Sequence, residues 1–198
     1  LVASGYMLKA KHLKRMLAYS SLELMGLVAV ATGVGGRGYY AAILLIVLHS
    51  LVKSALFYQL GQLGGILGTY KLDECGRYME LYPAGALVLL IGLFSILAIP
   101  PSGLFVGEFL IFRELVTKEY WFVLIVTIIL LCFIVYAMST RFMHIIFSFP
   151  RGGMSPCPAR SVRSIETVSQ FLILFIVIVM CFWQPAFITD LINQTVAV

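Results

Sequence analysis

The chain has 198 residues, of which 61% are hydrophobic and only 12% are charged, and its mean hydropathy is +1.01. A water-soluble core of this size does not require such an apolar composition, so a soluble globular protein is excluded. The net charge of +5 comes from short Lys/Arg clusters between apolar runs, which is typical of loops at an anionic membrane surface rather than of nucleic-acid binding. We predict an integral protein of the lipid bilayer with no nucleic-acid partner.

The first residues, LVASGYML, have the composition of the end of an apolar helix. About 20 helical residues at 1.5 Å each cross the roughly 30 Å hydrocarbon core of a membrane. The fold class predicted is therefore all-α, a polytopic transmembrane helical bundle in which residues 1–198 form a single domain. Five longer apolar segments follow the helix end, at about 16–34, 39–67, 83–116, 120–147 and 168–187.

The segment at 83–116 is interrupted by IPPSG, residues 99–103. Consecutive prolines remove two amide donors and restrict the residue before them, so a straight helix cannot continue through this point. Broken helices are tolerated at membrane depth only where protein or a water-filled cavity satisfies the freed backbone groups. The break therefore predicts one discontinuous helix and a hydrated site beside it.

The Lys and Arg residues outside the membrane decide whether segment 83–116 crosses the membrane once or twice. One broken crossing puts ten cations on the side of Lys9 and three on the other side, whereas two crossings divide them eight to five. The stronger bias favours a single broken crossing, with the arginine-rich linker at 150–164 on the cytoplasmic or matrix side and the C-terminus opposite.

Four cysteines are widely spaced and form no CxxC pair: Cys75, Cys132, Cys157 and Cys181. This spacing indicates neither a disulfide framework nor an iron–sulfur or zinc site. No ligands for a redox cofactor are recognisable either, so we predict no cofactor and no covalent catalysis by this chain.

Residues 48–57, LHSLVKSALF, place a lysine and a histidine inside an apolar segment. Lys53 lies 14 residues into its segment, roughly 21 Å along the axis, so its ammonium group does not reach either surface. His49 lies one turn earlier on the same helical face. A lysine at that depth must be neutral, paired or hydrated, and ionisable groups inside a membrane indicate a functional site by default. For His49 the alternative is a histidine satisfied within the core.

Two carboxylates on other segments complete the set of candidates. Glu108 follows the Pro-Pro break in the sequence FVGEF and is the natural counter-charge for Lys53. Glu23 lies roughly 12 Å into its helix, counted from Arg15. Two structural alternatives remain open: a static ion pair between Lys53 and Glu108, and neutralisation of Glu23 by Lys14 or Arg15 near the helix start.

Three ordered motifs resemble one family. LKRMLAYSSLELMG, LHSLVKSALF and LAIPPSGLFVGEFLIF are similar to segments of the antiporter-like subunits of respiratory complex I, of group 4 membrane-bound hydrogenases and formate hydrogenlyases, and of Mrp-type cation/proton antiporters. The resemblance implies a fourteen-helix subunit built from two inverted repeats, of which this chain is the C-terminal part, from the end of the ninth helix to the fourteenth.

The resemblance also implies roles for individual residues. The lysine that matches Lys53 is a central proton carrier, the histidine that matches His49 links it to neighbouring groups, and the position of Glu108 connects the path to the outer side. Some relatives carry a second histidine where this chain has Leu45, so the polar path here is expected to use water or Ser50.

Three functional hypotheses follow. The first is a proton-translocating, non-catalytic membrane subunit of a complex I-like or group 4 hydrogenase-like redox complex, with other membrane subunits as partners, in a bacterial or archaeal cytoplasmic membrane or a mitochondrial inner membrane. Its protons move through Lys53, His49, Glu108 and Glu23. The second is an Mrp-type sodium/proton antiporter subunit, and the third is a structural anchor that holds Lys53 and Glu108 as a static pair.

Overall fold

The computed structural model of the protein describes residues 2–149 and 164–196. Apart from one isolated antiparallel bridge between His12 and Lys71, the regular structure in these residues is helical. In chain order the helices are α1 (Val2–Lys9), α2 (Leu13–Val34), α3 (Arg37–Leu67), α4 (Tyr78–Leu81), α5 (Pro83–Ile96), α6 (Gly103–Thr117), α7 (Trp121–Phe147), α8 (Ser164–Phe182) and α9 (Ala186–Val196).

The described residues contain four helices that are long and apolar enough to cross a membrane: α2, α3, α7 and the 165–182 part of α8. The predicted all-α polytopic bundle is thereby confirmed. α3 is the central helix, and α2, α5, α6, α8 and α9 all pack against it. Small residues allow the close approach: a Cβ added to Gly107 of α6 would lie 2.6 Å from the Leu45 side chain, and one added to Gly92 of α5 would lie 2.5 Å from Leu56.

The predicted break is present, because α5 ends at Ile96 and α6 begins at Gly103. With 14 and 15 residues, each half is only about 21–23 Å long, which is too short to cross the hydrocarbon core by itself.

Contacts at the two ends of this pair establish a single crossing. The Arg77 amide, just before α5, donates to the Ser148 carbonyl at the end of α7, 2.8 Å away. At the other end, the Lys118 ammonium after α6 donates to the Val34 carbonyl at the end of α2, 2.5 Å away. The start of α5 and the end of α6 therefore lie on opposite sides of the bundle.

The last membrane segment differs from the prediction at both ends. We predicted 168–187, whereas α8 begins one turn earlier, at Ser164, and ends at Phe182. Pro185 explains the earlier end, since it has no amide donor and keeps the preceding residue out of helical geometry. The separate helix α9 that follows was not predicted. Most of the arginine-rich linker, residues 150–163, lies outside the described residues.

The described cysteines are free thiols: Cys75, Cys132 and Cys181. Cys75 lies in the loop between α3 and α4, where its sulfur is 3.7 Å from the Thr69 carbonyl oxygen. Burial raises the pKa of the Cys75 thiol to about 12, so it is protonated and unreactive at neutral pH. Cys157 lies outside the described residues.

Candidate functional site

Lys53 lies near the middle of α3, about 24 Å from its first residue and about 21 Å from its last. The side chain is only 7% exposed. Its ammonium group donates to the carbonyl oxygen of Leu17 and, at 2.7 Å, to the hydroxyl of Ser20, both on α2. The cation is therefore held against the neighbouring helix by neutral oxygen atoms.

The pattern of buried residues along α2 places Ser20 on the face of that helix that packs into the bundle. The buried face of this helix is formed by Leu13, Met16, Leu17, Ser20, Leu24, Leu27 and Ala31. The Ser20 hydroxyl donates to the Leu17 carbonyl at 2.9 Å and accepts from Lys53. A single polar residue in an otherwise apolar buried stripe is the sequence signal for this contact.

The static ion pair between Lys53 and Glu108, one of the two structural alternatives, is not formed among the described residues: Lys53 has no carboxylate oxygen within 4.0 Å. The carboxylate whose charge acts on Lys53 is that of Glu23, and the same charge also acts on Glu108. Glu23 is half-buried and lines an apolar groove between α1, α2 and α7. Glu23 therefore lies within electrostatic range of both other groups and connects them.

The second structural alternative, neutralisation of Glu23 by Lys14 or Arg15, is also not observed in the described part of the chain. Neither Lys14 nor Arg15 forms an ion pair with Glu23. The Lys14 ammonium instead lies over the Tyr70 ring, 3.8 Å from its centroid. The Glu23 charge is thus left to interact with Lys53 rather than with the cations at the helix start.

His49 is 4% exposed, and neither of its ring nitrogens has a hydrogen-bond partner within the described residues. It lies one turn from Lys53 on α3. The residues around it, Leu45 and Leu48, are those that Gly107 and Gly103 of α6 approach most closely. The imidazole consequently lies between Lys53 and the point where α3 meets the helix that carries Glu108. Glu108 itself is half-buried, five residues after the start of α6.

Of the two expected substitutes for the second histidine of some relatives, water or Ser50, the position of Ser50 does not favour the second. Its side chain is exposed, and the hydroxyl donates to the Ile46 carbonyl of its own helix at 2.8 Å. Ser54 behaves in the same way toward Leu51. Positions 50 and 54 lie about 100° around the helix from 49 and 53, which turns both hydroxyls away from the face that carries His49 and Lys53.

The Ser102 side chain forms hydrogen bonds across the break between α5 and α6. Ser102 is 1% exposed; its hydroxyl donates to the Ser95 carbonyl at 3.0 Å and accepts from the Leu104 amide at 3.2 Å. It thereby caps an amide freed at the start of α6 and adds a second donor to the Ser95 carbonyl, which also accepts from the Ala98 amide. This arrangement fixes where α6, and with it Glu108, begins.

Replacing Ser102 with alanine is expected to destabilise the fold by about 0.5–2 kcal/mol, because the substitution removes the side-chain cap of α6 and one of the donors to the Ser95 carbonyl, which keeps the Ala98 amide. The midpoint of thermal unfolding in detergent measures the effect. Ser54→Ala is the matched control, since its half-exposed hydroxyl bonds only to its own helix. Equal midpoints for the two variants would contradict the capping role of Ser102.

The described site brings together groups that can bind and release protons. Four ionisable groups lie on α2, α3 and α6 near mid-membrane, and no group of three or more His, Cys, Asp or Glu side chains in the described residues is placed to hold a metal ion. Protonation and deprotonation of such buried groups are coupled through their charges.

Comparison with known proteins supports this interpretation of the fold. A Hydrogenase-4 component F homolog of Methylacidiphilum infernorum is 31% identical over 170 residues, which cover 84% of this chain and 34% of that protein. Among solved structures, a chain of respiratory complex I from Thermus thermophilus matches 91% of this chain with a TM-score of 0.73 and 22% identity. A chain of the Mrp complex from Dietzia matches 92% with a TM-score of 0.80 and 14% identity.

The chain spans about a third of that relative and about two fifths of the solved chains. Residues 1–134 match the family model described as "NADH:quinone oxidoreductase/Mrp antiporter, TM", which covers the ranges that contain Lys53, His49, Glu23 and Glu108. The chain therefore belongs to the NADH:quinone oxidoreductase/Mrp antiporter family of integral membrane proteins.

Proposed function

We propose that this chain is part of a proton-translocating membrane subunit of a complex I-like or group 4 hydrogenase-like redox complex, and that its protons pass through Lys53, His49, Glu23 and Glu108. The observation that carries the proposal is the environment of Lys53. A buried lysine near the middle of α3 contacts neutral oxygen atoms of α2, and the charge of Glu23 on α2 acts on both Lys53 and Glu108.

The absence of a close ion pair within the described residues matters for the mechanism. A lysine locked to a carboxylate by direct contact keeps its proton, because separating the charges in a low-dielectric medium is expensive. Lys53 is instead solvated by a hydroxyl and a carbonyl oxygen, which both accept from the ammonium and stabilise it without trapping the proton. Its proton affinity then responds to the charge state of Glu23 and His49.

The proposed proton carriers lie at different depths, and their depths set the order in which they connect to the outer surface. Lys53 is about 24 Å along α3 from the outer end, whereas Glu108 is only about 14 Å along α6 from the outer end of that helix. Glu23 lies on the third helix and interacts electrostatically with both. Protons pass between these groups through water, with Glu108 as the group closest to the outer surface.

The test uses sealed membrane vesicles that contain the complete complex. Lys53→Ala is expected to abolish proton translocation driven by the redox reaction while the complex still assembles, because alanine cannot bind a proton. Thr32→Ala, at an exposed hydroxyl of α2 that bonds to a carbonyl of its own helix, is the control and should pump normally. Normal proton pumping by the Lys53→Ala variant would contradict the proposal.

The same vesicles distinguish sodium/proton exchange from redox-driven pumping. The family to which the chain belongs includes both classes, so its description supports the Mrp-type alternative as well. Proton flux that requires a sodium gradient and no electron donor would identify an antiporter. Proton flux that requires the donor and is unchanged when potassium replaces sodium would identify a redox-driven proton pump.

A further inference from the structure

A basic crevice of about 590 Å³ lies at the cytoplasmic or matrix end of the bundle, well away from Lys53. It is formed where the end of α1 and the strand-like segment before α2 meet the last turns of α7. We define this basic crevice by six of the side chains that line it: Lys9, Lys11, Asp73, Thr140, Arg141 and His144.

The charges of the basic crevice suit an anion. Three of its side chains are permanent cations and one is a carboxylate, so the formal charge is positive even with His144 neutral. The Arg141 guanidinium is fixed in the wall, where it donates to the Ala10 carbonyl and interacts with Asp73. Arginine presents a planar set of donors that matches phosphate oxygens, and Lys9 and Lys11 in the same crevice add point charges.

The crevice opens at head-group depth beside a lipid-facing stripe. Thr140 lies at one end of a row of α7 residues spaced at three or four positions, Ile129, Phe133 and Tyr136, which therefore share one face of the helix. These three side chains are 50%, 52% and 66% exposed, respectively. The row leads from the crevice toward the hydrocarbon core, so one molecule with a charged head and apolar chains can contact both surfaces.

We propose that the basic crevice binds the phosphodiester head group of an anionic phospholipid whose acyl chains lie along the Ile129, Phe133 and Tyr136 stripe. Basic pockets between helices at the cytoplasmic or matrix face recognise such head groups by charge. The bound lipid bridges the end of α1 and the end of α7, which are separated in the sequence by more than 120 residues. This assignment is independent of the proton route.

The experiment titrates the purified protein in a non-ionic detergent with dioctanoyl phosphatidylglycerol and counts bound lipid by native mass spectrometry. One molecule is expected to bind saturably. The Lys9→Gln/Lys11→Gln variant should weaken this binding by about tenfold or more, because both cations act at the head group. Lys14→Gln/Arg15→Gln removes the same charge from the same side of the membrane, outside the crevice, and should change the affinity by less than about twofold.

Two further ligands separate a lipid site from a simple anion site. Dioctanoyl phosphatidylcholine carries the same phosphate and chains without net charge, and it should bind weakly. Inorganic phosphate lacks the chains and should not displace the lipid at equal concentration. Equal weakening by both double variants, tight binding of phosphatidylcholine, or displacement by equimolar phosphate would each overturn the assignment.

Discussion

Glu23→Gln is expected to stop proton translocation in vesicles while the complex assembles normally. Glutamine keeps the size and hydrogen-bonding capacity of the side chain but cannot take up a proton in the physiological pH range. Glu23 is the group whose charge acts on both Lys53 and Glu108, so its neutralisation interrupts the route between them. Glu166→Gln is the control: Glu166 is a carboxylate at the start of α8 that accepts a hydrogen bond from Gln62, away from the route.

The double variant Lys53→Gln/Glu23→Gln tests the static alternative directly. If Lys53 and Glu23 only stabilise the packing of α2 on α3, a pair of neutral amides should preserve activity, since the amide at position 53 can still donate toward Ser20 and no unpaired charge remains. A route that requires proton carriers is expected to fail in this variant. Redox-driven pumping at more than half the wild-type rate would favour the static role.

Much of the fold could be predicted because each decisive signal is local. The Pro-Pro pair necessarily breaks a helix, and the one-sided distribution of Lys and Arg is enough to decide that residues 83–116 cross once. The end of the last membrane helix was missed for the opposite reason. The apolar composition continues from Trp183 to Phe187, whereas the helix ends at Phe182, ahead of Pro185.

The sequence indicates candidate members of the site but not which of them contact one another. Charged residues in apolar segments are visible without a structure, so Lys53, Glu23 and Glu108 could be found from the sequence. Which of them interact depends on the rotation of each helix and on close contacts such as Gly107 against Leu45. The sequence analysis therefore paired Lys53 with Glu108, whereas packing gives it Ser20 as a direct contact and Glu23 as the acting charge.

Gly38→Ala is expected to lower the thermal unfolding midpoint by roughly 6–12 °C, which corresponds to about 3 kcal/mol. Gly38 is buried in the first turn of α3, and a Cβ there would lie 2.2 Å from the Ala31 carbonyl oxygen of α2. That oxygen belongs to the backbone and already accepts the Gly35 amide at 3.3 Å, so no side-chain rotation can relieve the overlap. The two helices must therefore move apart, and this movement also separates Ser20 on α2 from Lys53 on α3.

Gly61→Ala provides the matched control on the same helix. A Cβ at this position meets nothing within 4 Å, so the substitution adds helix propensity without a clash and is expected to stabilise by about 0.5–1 kcal/mol. The opposite signs of the two effects follow from packing alone, because the chemical change is identical. If both variants unfold at the same temperature, the close approach of α2 and α3 at Gly38 is not what sets the geometry around Lys53.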